Sequence, residues 1–289
     1  MRKVRLPLIK KAIKKLLIDA SFSLPADIIE AVNKAKQNED NAMAVMILQM
    51  ILDNASISEK EKLPLCQDCG NTYVDIEMGP DICIPGSSGD AADMGFLETA
   101  VNEAVAEVYA DYYLRASVVA DPLFDRINTA NNTPAIVSCS FCKNPGLGIS
   151  VCLKGGGSEN CSWLYMLNPS SGKQEITAKI IDAVKENVTK ACPPVIIGVG
   201  IGGSASSAVQ LAKKAVFRSL DIPNPDKRYD LMERELLRSI NNTGIGPQGL
   251  GGKTTALGCN IEFAPCHMAT LPVAVFFGCH STRRAHIMM

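Results

Sequence analysis

Aromatic side chains are scarce. Phe, Trp and Tyr make up 5% of the 289 residues, and there is a single tryptophan. Single-stranded nucleic acids are held by stacking bases on aromatic rings, so that class of partner is disfavoured. A surplus of positive charge is missing as well. The chain has 29 Lys and Arg against 30 Asp and Glu, a formal net charge of -1. That leaves no electrostatic footprint for a polyanion. No apolar run approaches the ~20 residues that cross a bilayer. A secretory signal is also lacking. The first fifteen residues, MRKVRLPLIKKAIKK, carry seven Lys or Arg, but no apolar core segment or small-residue cleavage site follows them. The expectation is an ordinary first helix with a solvated basic face. A transit peptide or a membrane-surface helix is the alternative that its amphipathic pattern allows. Internal repeats and low-complexity tracts are absent.

What the chain has in excess is cysteine. Eleven occur, at 66, 69, 83, 139, 142, 152, 161, 192, 259, 266 and 279. An odd number in a long chain without a secretory signal argues against a disulfide framework and for a reducing cytoplasm. There a cysteine is a small core residue, a metal ligand or a nucleophile, and burial in the core is the default. Hydrophobic residues form 47% of the chain and charged ones 20%. This is enough for a sizeable core in one large or two modest domains.

The pattern along the chain predicts a mixed α/β (α+β) fold. A mostly helical part, residues 1–125, precedes a mixed α/β part, residues 126–289. Ser23 and Pro25 open a helix to about Gln37, since Pro suits the first turn. The stretch 40–53, DNAMAVMILQMILD, is apolar nearly all round, as a buried helix would be. A third long helix is predicted over 95–117. Between them, LPLCQDCGNTYVDIEMGPDICIPG is non-helical, with a short strand in its middle. In the second part, AIVSCSF, LGISVCL, PVIIGVGIGG, TTALGCNIEF and LPVAVFFGC read as strands. SGKQEITAKIIDAVKENVTKA and SASSAVQLAKKAVFRSL read as helices, the latter capped by Ser204.

Three motifs invite chemistry. Cys66/Cys69 and Cys139/Cys142 form two CxxC pairs. Their 69-residue separation is far wider than a zinc ribbon allows, and the second pair lies in a strand whose alternate residues diverge. GVGIGG matches the dinucleotide pattern at Gly198, Gly200 and Gly203. The acidic residue that should end the following strand is missing, because SLDIPNPDKRYD contains no strand. The turn remains a candidate anion site by virtue of its helix N-terminus. Finally, Cys66, Cys192 and Cys279 stand in turn-like places beside prolines or at a strand end. Three thiolates on loops can converge on an iron–sulfur cluster and leave one iron open. Spacing alone does not select this trio from the eleven.

Longer strings narrow the choice. CQDCG at 66–70 resembles the CQDTG signature of class I fumarases and of the alpha subunit of L-tartrate dehydratase. LKGGGSEN at 153–160, CPPVIIGVGIGG at 192–203, GIGPQGLGGKTTAL at 244–257 and HMATLPVAVFFGCHSTRR at 267–284 resemble the same family, in order, over nearly the whole chain. The resemblance implies an iron–sulfur hydro-lyase carrying an oxygen-sensitive 4Fe-4S cluster on Cys66, Cys192 and Cys279, with one open iron. It implies Gln67, Arg115, Gly156 and His267 as substrate contacts and Asp68 as the catalytic acid/base. Lys154, Lys253 and Arg283 are further cations near these motifs. The substrate is expected to be a small dicarboxylate: fumarate/malate first, with L-tartrate going to oxaloacetate as the alternative.

Two departures from the family pattern stand out. Cys69 replaces Thr, removing a small hydroxyl near the cluster. The chain also ends soon after the last ligand, where single-chain members continue into a second domain. That predicts the alpha half of a hetero-oligomer of two alpha and two beta subunits, the separate beta subunit completing the active site. Two rivals from other classes are an iron–sulfur electron carrier or sensor, which should offer four Cys, and a dinucleotide-dependent oxidoreductase.

Overall fold

The spacing of apolar residues decides where helices form here, and glycine decides how closely one of them approaches its sheet. The computed structural model describes residues 2–85 and 94–289. Its elements run β1 (Arg2–Lys3), α1 (Leu6–Phe22), α2 (Ala26–Gln37), α3 (Ala42–Glu61), β2 (Asn71–Met78), β3 (Ile82–Cys83) and α4 (Met94–Asp111). They continue with β4 (Ile136–Phe141), β5 (Leu147–Lys154), α5 (Gly156–Glu159), β6 (Trp163–Leu167), α6 (Lys173–Asn187) and β7 (Val195–Gly202). The remainder is α7 (Ala205–Phe217), α8 (Lys227–Asn241), β8 (Ala256–Ala264), β9 (Leu271–Gly278) and β10 (Arg283–Met288). The mixed α+β class is as predicted from the sequence.

The chain divides into two compact units. The first comprises Met1–Pro25, Ile57–Gly155 and Arg283–Met289; the second comprises Ala26–Ser56 and Gly156–Thr282. The boundary expected near residue 125 falls inside the first unit. The reason is strand pairing: β2 lies between β4 and β5, so segments on both sides of residue 125 share one sheet.

The first unit is built on the sheet β10-β5-β2-β4. Val74, Ile76, Ile149 and Val151 point to one face, where α1 and α4 cover them. Helix α1 supplies Ile9, Ile13, Leu16 and Leu17, a stripe at helical spacing whose members are each worth about 1.5–3 kcal/mol of burial. Its basic face is partly paired. Lys10 Nζ lies 2.7 Å from both Glu103 and Glu107, and Lys14 Nζ lies 2.9 Å from Glu107. Helix α1 is therefore an ordinary packed helix. Among the described residues no helix is long and apolar enough to cross a membrane.

The second unit is built on β6-β9-β7-β8, with β7 flanked by antiparallel β9 and parallel β8. Both faces of this sheet carry helices. Val195, Ile197, Val199 and Ile201 face a core shared with α6 and α8. The opposite face meets α7, through Ala208 and Ala212 against Ala274 and Phe276. Here the glycines of GVGIGG find their purpose. A Cβ at Gly200 would lie 2.0 Å from the Ala208 carbonyl oxygen, and one at Gly198 would lie 2.3 Å from that of Ala212. Both glycines sit within β7, where the α7 backbone crosses it. They serve helix–strand contact, not a phosphate loop. Ser204 caps α7 as expected, accepting from the Ser207 N–H at 3.2 Å.

Two expectations on helices need correction, and one helix stands outside them. Helix α3 is longer than expected, and it buries one face only: Ala44, Leu48 and Ile51 are buried, while Met43, Met46 and Met50 are exposed. An all-round apolar pattern overstated its burial, because helices pack through one stripe. Helix α4 stops at Asp111 rather than 117, closed by the Leu114 N–H bonding to the Tyr109 carbonyl and by Tyr113 at φ 54°. Helix α8 was overlooked, although Asp226 caps it and Met232, Leu236 and Ile240 recur at four-residue spacing.

Candidate functional site

The CQDCG motif lies on a loop of the first unit, entering β2. Asp68 Oδ1 accepts from the Gly70 N–H at 3.0 Å, the local turn that Asp favours. Gly70 has φ +78°, and a Cβ there would come within 2.6 Å of the Lys154 backbone. Only glycine both adopts that conformation freely and lets the loop lie against the end of β5. The carbonyls of Cys69 and Gly70 are held by the Tyr109 hydroxyl at 3.2 and 3.1 Å, and Asn132 Nδ2 donates to the Gly70 carbonyl at 3.0 Å. Burial pushes the Tyr109 phenol up to about 12, so it stays a neutral donor.

Cys69 points inward. It is 3% exposed, belongs to the core under α1 and α4, and its sulfur accepts from the Arg115 N–H at 3.2 Å. Burial pushes its thiol pKa up. The replacement of Thr by Cys therefore changes a core-side acceptor and leaves the exposed side of the loop untouched. The same bond fixes Arg115 beside the CQDCG loop, with its own side chain at the surface.

A cation joins this loop from the other end of the sequence. Arg283, at the start of β10, is 2% exposed, and its Nε has no hydrogen-bond partner. A Cβ at Gly155 would lie 3.0 Å from Asp68 Oδ2 and 3.9 Å from an Arg283 Nη. Asp68 and Arg283 thus flank the same glycine. Lys154 is also buried. Lys253, by contrast, belongs to the second unit, where its N–H donates to Glu39 at 2.6 Å and its Nζ to the Asn38 carbonyl at 3.0 Å.

The second unit brings together the turns that carry two of the three predicted cysteines. Cys192 ends the 3-10 turn Val188–Ala191 that follows α6, with φ 54° and ψ 71°. That left-handed conformation costs a non-glycine residue roughly 1–2 kcal/mol. Cys279 follows the last residue of β9. His280 ties the two turns: its backbone N–H and its Nδ1 lie 3.3 and 3.0 Å from the Cys192 carbonyl oxygen, which accepts from both. Burial lowers the His280 pKa, keeping the imidazole neutral. Gln248 secures the next residue, donating from N–H and Nε2 to the Pro193 carbonyl at 2.8 and 3.0 Å. Gly156, the first residue of α5, belongs to the same neighbourhood. Helix α5 packs on the turn before Cys192 and on β9.

His267 is not brought there. It precedes β9, whereas Cys279 follows it. Eight strand residues at about 3.3 Å each separate the two ends by roughly 25 Å. His267 is exposed, and its Nδ1 accepts from the Ala269 N–H at 3.1 Å. Cys66 lies in the first unit and is partly exposed, as a ligand must be.

Among the described residues no three His, Cys, Asp or Glu stand together as ligands for a single ion. A cubane cluster asks for something different, since its thiolates bind different irons. Cys192, an exposed thiol on a strained turn beside Cys279, fits such a group. Cys152 and Cys259 do not, because both are buried and burial pushes their thiol pKa values well above the ordinary value.

Comparison with known proteins gives the family. The profile of the family described as fumarate hydratase (Fumerase) matches residues 10–288. A protein of Methanocaldococcus jannaschii, provisionally named L(+)-tartrate dehydratase subunit alpha, is 35% identical over 282 residues, 96% of each chain. The L(+)-tartrate dehydratase subunit alpha of Escherichia coli is 29% identical over 273 residues, covering 93% of this chain and 86% of its own. A non-catalytic electron carrier and a dinucleotide enzyme are thereby set aside. The chain belongs to the fumarate hydratase (Fumerase) family of hydro-lyases.

Proposed function

We propose that this chain is the alpha subunit of an iron–sulfur hydro-lyase acting on a small dicarboxylate. Cys66, Cys192 and Cys279 would hold a 4Fe-4S cluster with one iron left open. The observation that carries the reading is the approach of the Cys192 and Cys279 turns, tied together by His280. When bound, such a cluster supplies a Lewis acid to polarise the departing or entering hydroxyl.

The chain's own residues do the rest. Asp68 is held by the Gly70 N–H and placed next to Gly155, opposite Arg283. It is the group proposed to move the proton at the neighbouring carbon, a role worth about 10²–10⁴-fold in rate. Gln67 adjoins it and is proposed to bond the substrate. Arg115 takes one carboxylate with its planar fork, its backbone fixed by Cys69. Gly156, the first residue of α5, is proposed to let the backbone approach the substrate, having no side chain to stand in the way. The far carboxylate and the second acid/base group fall to a separate beta subunit, in a complex of two alpha and two beta chains. The name "subunit alpha" borne by the relatives supports a separate partner chain. A cytoplasmic location goes with the free thiols.

Fumarate/malate is the first choice of substrate, from the family description. L-Tartrate is the second, favoured by the names of the relatives. The test is to express the chain with its partner subunit anaerobically and to assay fumarate hydration and L-tartrate dehydration side by side. One of the two should turn over, and the chain without its partner should be nearly inactive. Asp68→Asn in the complex should lower kcat by about 10²-fold or more, with iron content unchanged. Full activity of the Asp68→Asn complex would remove Asp68 from the mechanism. Full activity of the isolated chain would remove the partner.

A further inference from the structure

Strand β4 is the uncovered edge of the first unit's sheet. It pairs with β2 on one side, and among the described residues no strand pairs with the other. Soluble proteins usually guard such an edge with Lys, Pro or a bulge, because its free N–H and C=O groups recruit another strand. Strand β4 has none of these. Its sequence is Ile136-Val137-Ser138-Cys139-Ser140-Phe141, and no residue from Ile127 through Cys142 is charged. The pairing with β2 runs without a register shift. Phe141 is 91% exposed, and Ile136 and Cys139 are exposed too.

The pattern of β4 is complementary to itself. Val137, Cys139 and Phe141 pair with Val74, Ile76 and Met78 of β2, on the core-facing side of the sheet. Cys139 and Phe141 nevertheless stay exposed, so the described helices do not cover that end of the strand. Consider a second β4 added antiparallel about a two-fold axis perpendicular to the sheet. Such an axis keeps each residue on its own face, so only registers that match core-side with core-side residues are allowed. Centred on Cys139, Val137 meets Phe141 of the second copy, Ser138 meets Ser140, and Cys139 meets Cys139. Aromatic with β-branched, and hydroxyl with hydroxyl, are favourable cross-strand pairs worth about 0.2–1 kcal/mol each. Centred on Ser138 instead, Ile136 would oppose Ser140, and the match is lost. A symmetric contact always places a residue near its own copy, so charge would count against it. The uncharged stretch removes that obstacle.

We propose that β4 is the contact between two copies of this chain, joining two four-stranded sheets into one of eight strands across Cys139. The contact needs neither the cluster nor the beta subunit, so its failure would leave the hydro-lyase reading intact.

The test uses the full chain, alone and with its partner subunit. Sedimentation should give a dimer of the chain. A short bis-maleimide should link Cys139 to Cys139, identified by mass spectrometry, since directly opposed Cβ atoms lie about 5 Å apart. Cys139→Ser should remain dimeric and lose the link. Cys139→Lys, which opposes two ammonium groups, should weaken self-association at least tenfold and halve the mass of the complex with the partner. The Cys142 N–H bonds to the Met78 carbonyl of β2, so by alternation the Phe141 N–H faces the free edge; Phe141→Pro, which removes that donor, should do the same, and far-UV circular dichroism should show both variants folded. A wild-type chain that stays monomeric at about 100 μM would overturn the proposal. So would a dimer that survives both Cys139→Lys and Phe141→Pro, or protection of Cys139 by the partner subunit in place of the link.

Discussion

The two sheets of this chain solve burial differently. In the second unit β7 and β9 are covered by helices on both faces, and all eight residues of β7 are buried. In the first unit helices cover one face, and among the described residues the other is open over part of its length, Tyr73, Cys152 and Lys154 being buried at one end of it. The other carries a polar row across all four strands, His286, Ser150, Asp75 and Ser138 in direct register. Ser150 Oγ lies 3.0 Å from His286 Nδ1, and the Ser138 hydroxyl donates to Asp75. A strand buried twice must be apolar throughout, and where a helix crosses closely it must also be glycine. A strand buried once can alternate. The doubly covered sheet should therefore tolerate almost no change, and the open face of the other should tolerate much.

The sharpest break of that comparison is Gly200→Ala. The new methyl would meet the α7 backbone at 2.0 Å, and backbone cannot yield as a side chain can. A loss of about 3 kcal/mol is expected, at the top of the usual overpacking range. That is a fall in Tm of roughly 6–12 °C, read by thermal melting. Gly172→Ala, where nothing stands within 4 Å, should melt like the parent. Equal behaviour of the two variants would undo the account of GVGIGG.

Legibility in the sequence followed the same division. Strands β7, β8 and β9 were readable because they are nearly unbroken apolar runs. Strand β10, RRAHIM, was not, because its alternation is masked by two arginines and it becomes a strand only by pairing with β5. Cys66, Asp68 and Gly70 were legible as a motif, Cys192 as the residue before a Pro-Pro break and Cys279 as the end of an apolar run, and only the family resemblance singled these cysteines out of eleven. Arg283 was visible only as one basic residue near a ligand. Its burial beside Gly155 depends on β5 and β10 lying together, a pairing between residues far apart in the chain. His267 shows how far sequence spacing and distance within one chain can part. It stands twelve residues from Cys279, but a strand intervenes and carries it to the far end of the sheet.

Next in size is Tyr109→Phe, which strips the hydroxyl from the Cys69 and Gly70 carbonyls. A loss of about 1–2 kcal/mol is expected, since buried carbonyls would lose a donor. The parent should also weaken in alkali. The folded phenol is raised to about 12 from an ordinary value of 10.0, so above pH 10 the unfolded chain releases a proton that the folded chain retains. Stability should fall as pH rises from about 10 to about 12. The Phe variant should lack that component of the slope, which denaturant titrations at pH 9 and 11 would resolve.

The smallest effect belongs to the open face. Ser150→Ala and His286→Ala should each change stability by no more than about 0.5 kcal/mol, as exposed substitutions usually do. Losses above 2 kcal/mol, measured by urea unfolding, would mean that this face is covered after all.

The central claim is that Cys66, Cys192 and Cys279 hold the cluster, and iron and sulfide content tests it most directly. Anaerobically purified protein should contain close to one 4Fe-4S cluster per chain, and its visible absorption should bleach in air. Single changes to Ser at positions 66, 192 and 279 should each remove most of the iron, while Cys142→Ser and Cys259→Ser should leave it in place. Full iron content in the Cys192→Ser protein would contradict the account.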